Sequence, residues 1–172
     1  MIAWPLGNVG RLALQGGDYA QAQAAFEESV TLCRAVGNKL GVADWLVQVA
    51  TAALYLSDYA RAQSALGECL PFSHDLGHDG AIADCLVIAA GVAGAMGHWE
   101  RAATLLAAAD MILERFRLLY RVVDPSSYAA YTRRVEAVRA RLSEQSFASA
   151  WATGRAMTRV QAIAYALADD AA

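Results

Sequence analysis

A row of polar and aromatic residues near the start of the chain has the spacing of one helical face. Its four positions are spaced i, i+4, i+7 and i+11, and a second set with the same spacing begins at position 44. The residues are Trp4, Asn8, Arg11 and Gln15, followed by Asp44, Gln48, Thr51 and Tyr55. A guanidinium forms charge-assisted hydrogen bonds, and aromatic rings offer stacking surfaces. The pattern therefore predicts a candidate binding face of mixed hydrogen-bonding character, here called the predicted groove; the alternative is a solvated helix face without a ligand.

A third copy of this row is less polar. It begins at position 84 with the same spacing and consists of Asp84, Ile88, Gly91 and Ala95. Asp84 continues the polar row, so it is included among the predicted groove residues. Gly91 and Ala95 are small, and the space beside them would suit the floor of a pocket.

The other candidate chemical groups do not form a catalytic or metal-binding pattern. His74 and His78 lie four residues apart, but a metal site needs three or four converging ligands. A helix C-terminal turn with favourable histidines explains the same residues. Cys33 and Cys69 fall on a packing face, and a nucleophile would need a base within reach. We therefore predict a chain that is not an enzyme, with no catalytic residues, no cofactor and no metal.

One six-residue phrase organises the elements that carry these residues. It occurs at 17–22, 57–62 and 97–102, a period of 40, each time with an aromatic residue third and an alanine last. An internal repeat of this length indicates a stacked array of supersecondary units. The aromatic residues are predicted to be structural and to pack between the two helices of each unit. They are Tyr19, Tyr59 and Trp99.

Short turns between the helical patterns predict three antiparallel helical hairpins, at 2–38, 39–78 and 79–116. The core positions of the first helix in each hairpin align at the same offset. They are Leu6, Val9, Gly10 and Ala13; Leu46, Val49, Ala50 and Ala53; and Leu86, Ala89, Ala90 and Ala93. One hairpin cannot bury such a face alone, whereas stacked hairpins can. The predicted fold class is all-α, a right-handed α-solenoid of three hairpins plus a C-terminal helical cap.

The repeat pattern stops near residue 116, and residues 117–172 are predicted to be capping helices of the same domain. A solenoid needs an atypical end that covers its last apolar face. The expected boundaries are a helix start at Asp124–Pro125, an N-cap at Ser143, a helix end at Gly154 and a capping box at Thr158–Gln161.

Composition and charge exclude several classes of partner. The chain has 172 residues and a net charge of −3, so it lacks the basic footprint of a nucleic-acid-binding protein. Four arginines between 133 and 141 are interleaved with Glu136 and predict a solvated face. The first residues lack signal-peptide features, and no run reaches the ~18 apolar residues of a membrane helix. The three cysteines indicate free thiols, which are typical of a cytoplasmic protein. Together these features lead us to expect a cytoplasmic chain that contacts neither nucleic acid directly nor a membrane.

The repeated phrases resemble the tetratricopeptide repeat. The similarity rests on the small residue of each first helix, the Gly-Asp-Tyr turn, the alanine after it, and a large apolar residue four positions further on. The apolar residues are Phe26, Leu66 and Leu106. The period of 40 exceeds the usual ~34. It is similar to the variant in large bacterial signal-transduction ATPases and MalT-like or LuxR-type transcriptional regulators, and the stretches 147–158 and 162–167 closely resemble the end of their repeat domains.

This resemblance implies a protein- or effector-binding module, the sensor or scaffold region of a bacterial signalling or transcription-regulatory protein. In such arrays the face that carries the polar row lines the concave groove. The implied partner is another protein or the regulatory domains of the same longer chain, with a small effector as a further candidate. The alternative is a stand-alone structural or oligomerisation adaptor with no small-molecule ligand, in which an exposed apolar end would favour a homodimer.

Overall fold

The computed structural model describes residues 3–115 and 125–168, except for the side chains of Ala3 and Trp4. Every regular element in these ranges is an α-helix, which confirms the predicted all-α fold class. The helices are α1 (Ala3–Gly16), α2 (Tyr19–Ala35), α3 (Lys39–Tyr55), α4 (Tyr59–Asp75), α5 (Asp79–Ala95), α6 (Trp99–Leu113), α7 (Pro125–Arg139), α8 (Glu144–Arg155) and α9 (Arg159–Leu167). The helices α2 to α5 share one length of 17 residues, so the chain is a helical repeat of the solenoid class.

The chain divides into two compact units, Met1–Ala81 and Ile82–Ala172. The first unit contains α1 to α4, in which α1 packs against α2, α2 against α3 and α3 against α4. The second unit contains α6 to α9 and most of α5.

The same short turn occurs five times, once between each consecutive pair of the helices α1 to α6. One residue of each turn has a positive φ, namely Gly17, Gly37, Ser57, Gly77 and Gly97. In each turn the residue after the positive-φ position donates a hydrogen bond from its N–H group to the carbonyl five residues earlier. Asp18 N, for example, lies 2.9 Å from Ala13 O. This arrangement satisfies the end of the preceding helix and favours glycine at the left-handed position. The turns are evenly spaced at half the sequence period, so each repeat unit contains two turns of the same geometry.

In the first two copies of the repeated phrase, the side chain of the second residue caps the start of the next helix. The side chains of Asp18 and Asp58 accept hydrogen bonds from the N–H groups of Gln21 and Arg61, at 3.1 and 3.0 Å. Asn38 plays the same part before α3. These side chains satisfy one of the unpaired N–H groups that every helix start leaves.

Trp45 lies at the centre of the first unit. Its side chain is fully buried, and its ring stacks on Phe26 of α2 with 5.9 Å between the ring centroids. A Cβ atom on Gly7 would lie 2.1 Å from the indole, and one on Gly10 would lie 2.6 Å from the Phe26 ring. The two glycines therefore let α1 approach both rings, and the predicted packing role of Gly10 is confirmed.

Two ion pairs join α2 to α4. Arg61 contacts Glu27 at 2.7 Å, and Arg34 is paired with Glu68. The four side chains are between one third and one half exposed, so each pair stabilises the fold by at most about 1 kcal/mol. We infer that the two pairs mainly fix the register of α2 against α4 and contribute little to the stability of the fold.

The predicted core is buried in α3 and α5 but not throughout α1. Val49 is fully buried, and Ala89 in α5 is buried as well. Val9 is 48% exposed, so its prediction as a core residue is wrong. Leu6 and Ala13 are half-buried. The reason for the difference is that no described helix of the first unit covers the Val9 side of α1.

The three repeated aromatic residues stand at the first position of α2, α4 and α6. Tyr19, Tyr59 and Trp99 are half-buried. One part of each ring contacts the rest of the protein, and another part is exposed to solvent. The rings are therefore less buried than side chains that pack fully between two helices.

A buried carboxylate connects three helices of the second unit. Asp110 of α6 is 8% exposed. It accepts hydrogen bonds from the Tyr131 hydroxyl of α7 at 2.7 Å and from the Arg155 guanidinium of α8 at 2.5 Å. Arg155 also bonds Glu114 at 2.6 Å, and this hydrogen bond, with the charges of Glu114 and Asp110, raises the pKa of Arg155. Burial of a carboxylate is tolerated because it is paired and hydrogen-bonded.

Three of the predicted helix starts in the C-terminal segment are confirmed. Pro125 is the first residue of α7, whereas Asp124 lies outside the described residues. Ser143 caps α8, and Thr158 forms a complete capping box with Gln161 at the start of α9.

The predicted helix end at Gly154 is wrong. The helix α8 continues to Arg155, and Gly154 is buried against α6. A Cβ atom on Gly154 would lie 2.1 Å from the backbone oxygen of Thr104. This glycine therefore serves close helix packing and not chain reversal.

Two alanine substitutions at helical glycines are expected to have opposite effects on stability. Gly154→Ala should lower the free energy of unfolding by about 1–3 kcal/mol, because its Cβ would overlap a backbone oxygen that cannot move alone. Gly67→Ala in α4 should raise it by about 0.5–1 kcal/mol, because its Cβ would meet no neighbour and alanine favours the helix. Urea unfolding followed by circular dichroism measures both. Equal stabilities of the two variants would contradict the α6–α8 packing described above.

Candidate functional site

The face predicted as a groove lies on α1 and α3 in the first unit, and Arg11 connects the two helices. The Arg11 side chain is exposed, and its guanidinium carbon lies 5.3 Å from the centroid of the Trp45 ring. A cation over an indole is attracted by the negative face of the ring. Arg11 is thus held over the large buried side chain of α3 while it remains open to solvent. We call the exposed surface around Arg11, Asn8 and Gln15, together with the row on α3, the α1–α3 face.

Asp44 is held in place by a histidine from the start of the next helix hairpin. The Nε2 atom of His78 lies 3.0 Å from Oδ1 of Asp44, and Nδ1 of His78 accepts a hydrogen bond from the Ala81 N–H at 3.3 Å. Because Nδ1 is an acceptor, the proton of a neutral ring is on Nε2 and points to Asp44. His78 therefore serves as an N-cap and an Asp44 partner, whereas the sequence predicted that it belonged to a helix C-terminal turn.

The remaining residues of the α3 row differ in their exposure and in the groups that they present to a ligand. Gln48 and Thr51 are half-buried. The Thr51 hydroxyl donates to the Val47 carbonyl at 2.9 Å, so its oxygen is left as an acceptor only. Tyr55 is exposed, and its ring stacks on Tyr19 of α2 with 4.9 Å between centroids. Tyr55 thus provides a fixed aromatic surface at the C-terminal end of α3.

Two predicted groove residues are not placed with the others. The side chain of Trp4 lies outside the described residues. Asp84 is half-buried on α5 and belongs to the second unit, as do the small residues Gly91 and Ala95. The α1–α3 face is therefore defined by Asn8, Arg11, Gln15, Asp44, Gln48, Thr51 and Tyr55 alone.

The cysteine nearest to this face has the wrong properties for a nucleophile. Cys33 is fully buried beside Trp45. Burial raises the pKa of its thiol, the Trp45 indole lowers it, and the charge of Asp44 raises it again, with a net rise. A reactive cysteine needs the opposite, an exposed thiol with a lowered pKa. Cys69 and Cys85 are buried as well.

Metal binding and membrane insertion find no support in the described ranges. Within residues 3–115 and 125–168, no three His, Cys, Asp or Glu side chains are grouped so that they could hold a metal ion. Among the helices of these ranges, none combines the length and the hydropathy that a membrane-spanning helix requires.

Trp45, which is buried beneath this face and supports Arg11, is the residue that the sequence pattern missed. It lies in a stretch of α3 that is apolar on most sides, so helical periodicity did not distinguish it from its neighbours. Tyr19 was predicted as structural only, although it supports Tyr55. A useful signal would have been Gly7 and Gly10, because two glycines three residues apart in a helix indicate large rings packed against it.

The three native cysteines are expected to react with an aromatic disulfide reagent at least about tenfold more slowly than an exposed thiol. Buried thiols are shielded from the reagent, and for Cys33 the raised pKa also keeps the thiol neutral until alkaline pH. The Cys33 contribution to stability is therefore present at neutral pH and is lost as the pH rises through its folded-state pKa. The Ser64→Cys variant, at an exposed position of α4, provides the fast control. If a native cysteine reacted as fast as this control, it would again be a candidate nucleophile.

In comparison with known proteins, one family model matches a part of the chain that is shorter than half of its length. The tetratricopeptide repeat family matches residues 1–75, a range that ends where α4 ends. No curated protein and no solved structure matches the chain. Tetratricopeptide modules generally mediate interactions between proteins. The first four helices therefore form a tetratricopeptide-like region, of the kind that serves as a protein-interaction module.

Proposed function

We propose that the chain is a non-catalytic protein- or effector-binding module and that the α1–α3 face is its contact surface. The observation that carries this proposal is the placement of Arg11. Its guanidinium is exposed, lies over a fully buried indole, and is paired with no carboxylate among the described residues. An arginine that only served solubility would have no need of such a fixed position.

The chemistry of the face suits a partner segment that carries a carboxylate. A guanidinium forms strong, often bidentate hydrogen bonds with a carboxylate, and its position over Trp45 reduces the entropy lost when a partner binds. Asn8 and Gln15 are exposed on either side of Arg11 along α1 and offer amide groups to a peptide backbone. Tyr55 offers a stacking surface that Tyr19 holds in place. Arginine and tyrosine are enriched among the residues that dominate binding energies at interfaces.

We further propose that this module is the sensor or scaffold region of a bacterial signalling or transcription-regulatory protein of the MalT-like or LuxR type, located in the cytoplasm. The support for this context is the likeness of stretches 147–158 and 162–167 to the end of such repeat domains. The ligand would bias a distant switch domain of the same chain. A nucleotide-binding module encoded directly upstream would support this context, and its absence there would favour a free-standing adaptor.

Photo-crosslinking in the source cell tests the contact surface. A benzophenone amino acid at position 8 should capture a partner, because Asn8 is exposed next to Arg11. Arg11→Gln should reduce that capture about tenfold or more, since a hydrogen bond to a charged group contributes about 1.5–3 kcal/mol. The crosslinked species is identified by mass spectrometry.

Two controls separate this result from random capture. The same photoreactive residue at position 28, exposed on α2, should give no such species. The Lys39→Gln variant removes the same charge from a position away from this face and should leave capture unchanged. Capture that is equal from both positions, or unaffected by Arg11→Gln, would rule out the α1–α3 face.

One observation favours the alternative of an oligomerisation adaptor. Val9 and Leu12 are 48% and 69% exposed on α1, although Val49 at the equivalent position of α3 is fully buried. A second copy of the chain would cover this apolar side. If the adaptor function is correct, light scattering should show a dimer that Leu12→Glu converts to a monomer. A monomer at micromolar concentration would remove this alternative.

A further inference from the structure

The second unit contains a polar cleft that the repeat motifs did not predict. It has a volume of about 430 Å³ and lies among α6, α8 and α9. This volume falls within the range of sites for small molecules, about 300–1,000 Å³. None of the residues of the α1–α3 face lines it. The cleft is therefore a separate candidate site.

Polar side chains, among them the Gln145 amide, dominate the walls of this cleft. The hydroxyls of Ser146, Ser149 and Thr153 come from α8, and the Tyr165 side chain comes from α9. Glu100, in the first turn of α6, is the one charged side chain among the lining residues, and no described residue donates a hydrogen bond to its carboxylate. The cleft therefore has a single negative charge and no positive side chain on its walls.

Two of the hydroxyls can act only as acceptors. Thr153 donates its proton to the Ser149 carbonyl at 3.0 Å, and Thr104 donates to the carbonyls of Glu100 and Ala150 at 3.0 and 3.3 Å. Their oxygen lone pairs remain available. The α8 start offers little to an anion, because Ser143 already caps the Ser146 N–H at 3.0 Å. The walls are thus matched to a ligand that donates hydrogen bonds.

The arginine that follows Glu100 in the sequence forms its hydrogen bonds elsewhere. Arg101 is the next residue of α6, but its guanidinium donates to the carbonyls of Tyr165 and Ala168, both at 2.8 Å. It also lies 4.8 Å from the centroid of the Tyr165 ring. The Arg101 guanidinium therefore interacts with the C-terminal end of α9.

From this geometry we propose that the cleft binds a primary ammonium group carried by a small hydroxylated molecule, of the amino-sugar class. The ammonium would donate to the Glu100 carboxylate and to the Thr153 oxygen. The ligand hydroxyls would exchange hydrogen bonds with Ser146 and Ser149. This proposal does not depend on the function of the α1–α3 face, and each can fail without the other.

Glucosamine and glucose form a matched pair of probes, because they differ only in an ammonium group in place of one hydroxyl. Titration of the ¹⁵N-labelled chain at slightly acidic pH, where the amine is charged, measures binding by amide shifts. Glucosamine should cause saturable shifts at residues 146–153 and 165, and glucose should bind at least about tenfold more weakly.

Substitutions identify the group that recognises the ammonium. Glu100→Gln keeps the shape of the side chain and should weaken glucosamine binding about tenfold or more, which corresponds to about 1.4 kcal/mol. Ser149→Ala should weaken it less. Glu136→Gln on α7 makes the same change of net charge away from the cleft and should have no effect.

The outcomes are decisive in both directions. Saturable binding of glucosamine that depends on Glu100 supports the proposal. Equal binding of glucose, full retention of binding by Glu100→Gln, or shifts that do not saturate for any probe would each overturn it. Circular dichroism of each variant confirms that the helices are retained, and Ser149→Ala provides a second variant if Glu100→Gln is unfolded.

Discussion

The complete burial of the Trp45 indole is the constraint on which the first unit depends. A side chain of this size fits between helices only where the neighbouring backbone has room, and Gly7 and Gly10 provide that room on α1. The ring then stacks on Phe26 of α2 and supports the Arg11 guanidinium. Helix packing and the placement of the exposed guanidinium therefore depend on one residue. The contact that orders α1 on α3 also positions the charged group of the α1–α3 face.

Much of the fold could be predicted because its signals are local. Capping residues, turn glycines and helical periodicity act within a few positions, so the starts of α2, α4, α7, α8 and α9 follow from their own sequence. The N-cap roles of Asn38 and His78 were not predicted, because these residues differ in type from Asp18 and Asp58, which cap two of the other helices. Gly154 was misread for a related reason. A glycine needed for close approach to Thr104 is indistinguishable, in sequence, from a glycine needed to end a helix.

The candidate sites were predictable only where they follow the repeat. The row on α1 and α3 has a fixed spacing, so Arg11 and Asp44 could be identified. Their supports, Trp45 and His78, act across helices, and sequence spacing carries no information about such contacts. The same holds for the second unit, in which Asp110 meets Tyr131 and Arg155 from two later helices. The cleft around Glu100 has no repeat counterpart at all.

The contact between Arg101 and the end of α9 has a consequence for the order in which the second unit forms. The helix α9 has only nine residues, and helices shorter than ~12–15 residues are marginal in water by themselves. The carbonyls of Tyr165 and Ala168 are satisfied by a side chain that α6 contributes from far earlier in the chain. The last helix can therefore be stable only after α6 has formed. On unfolding it should detach early, as a small cooperative segment of its own, while the earlier helices of the unit remain intact.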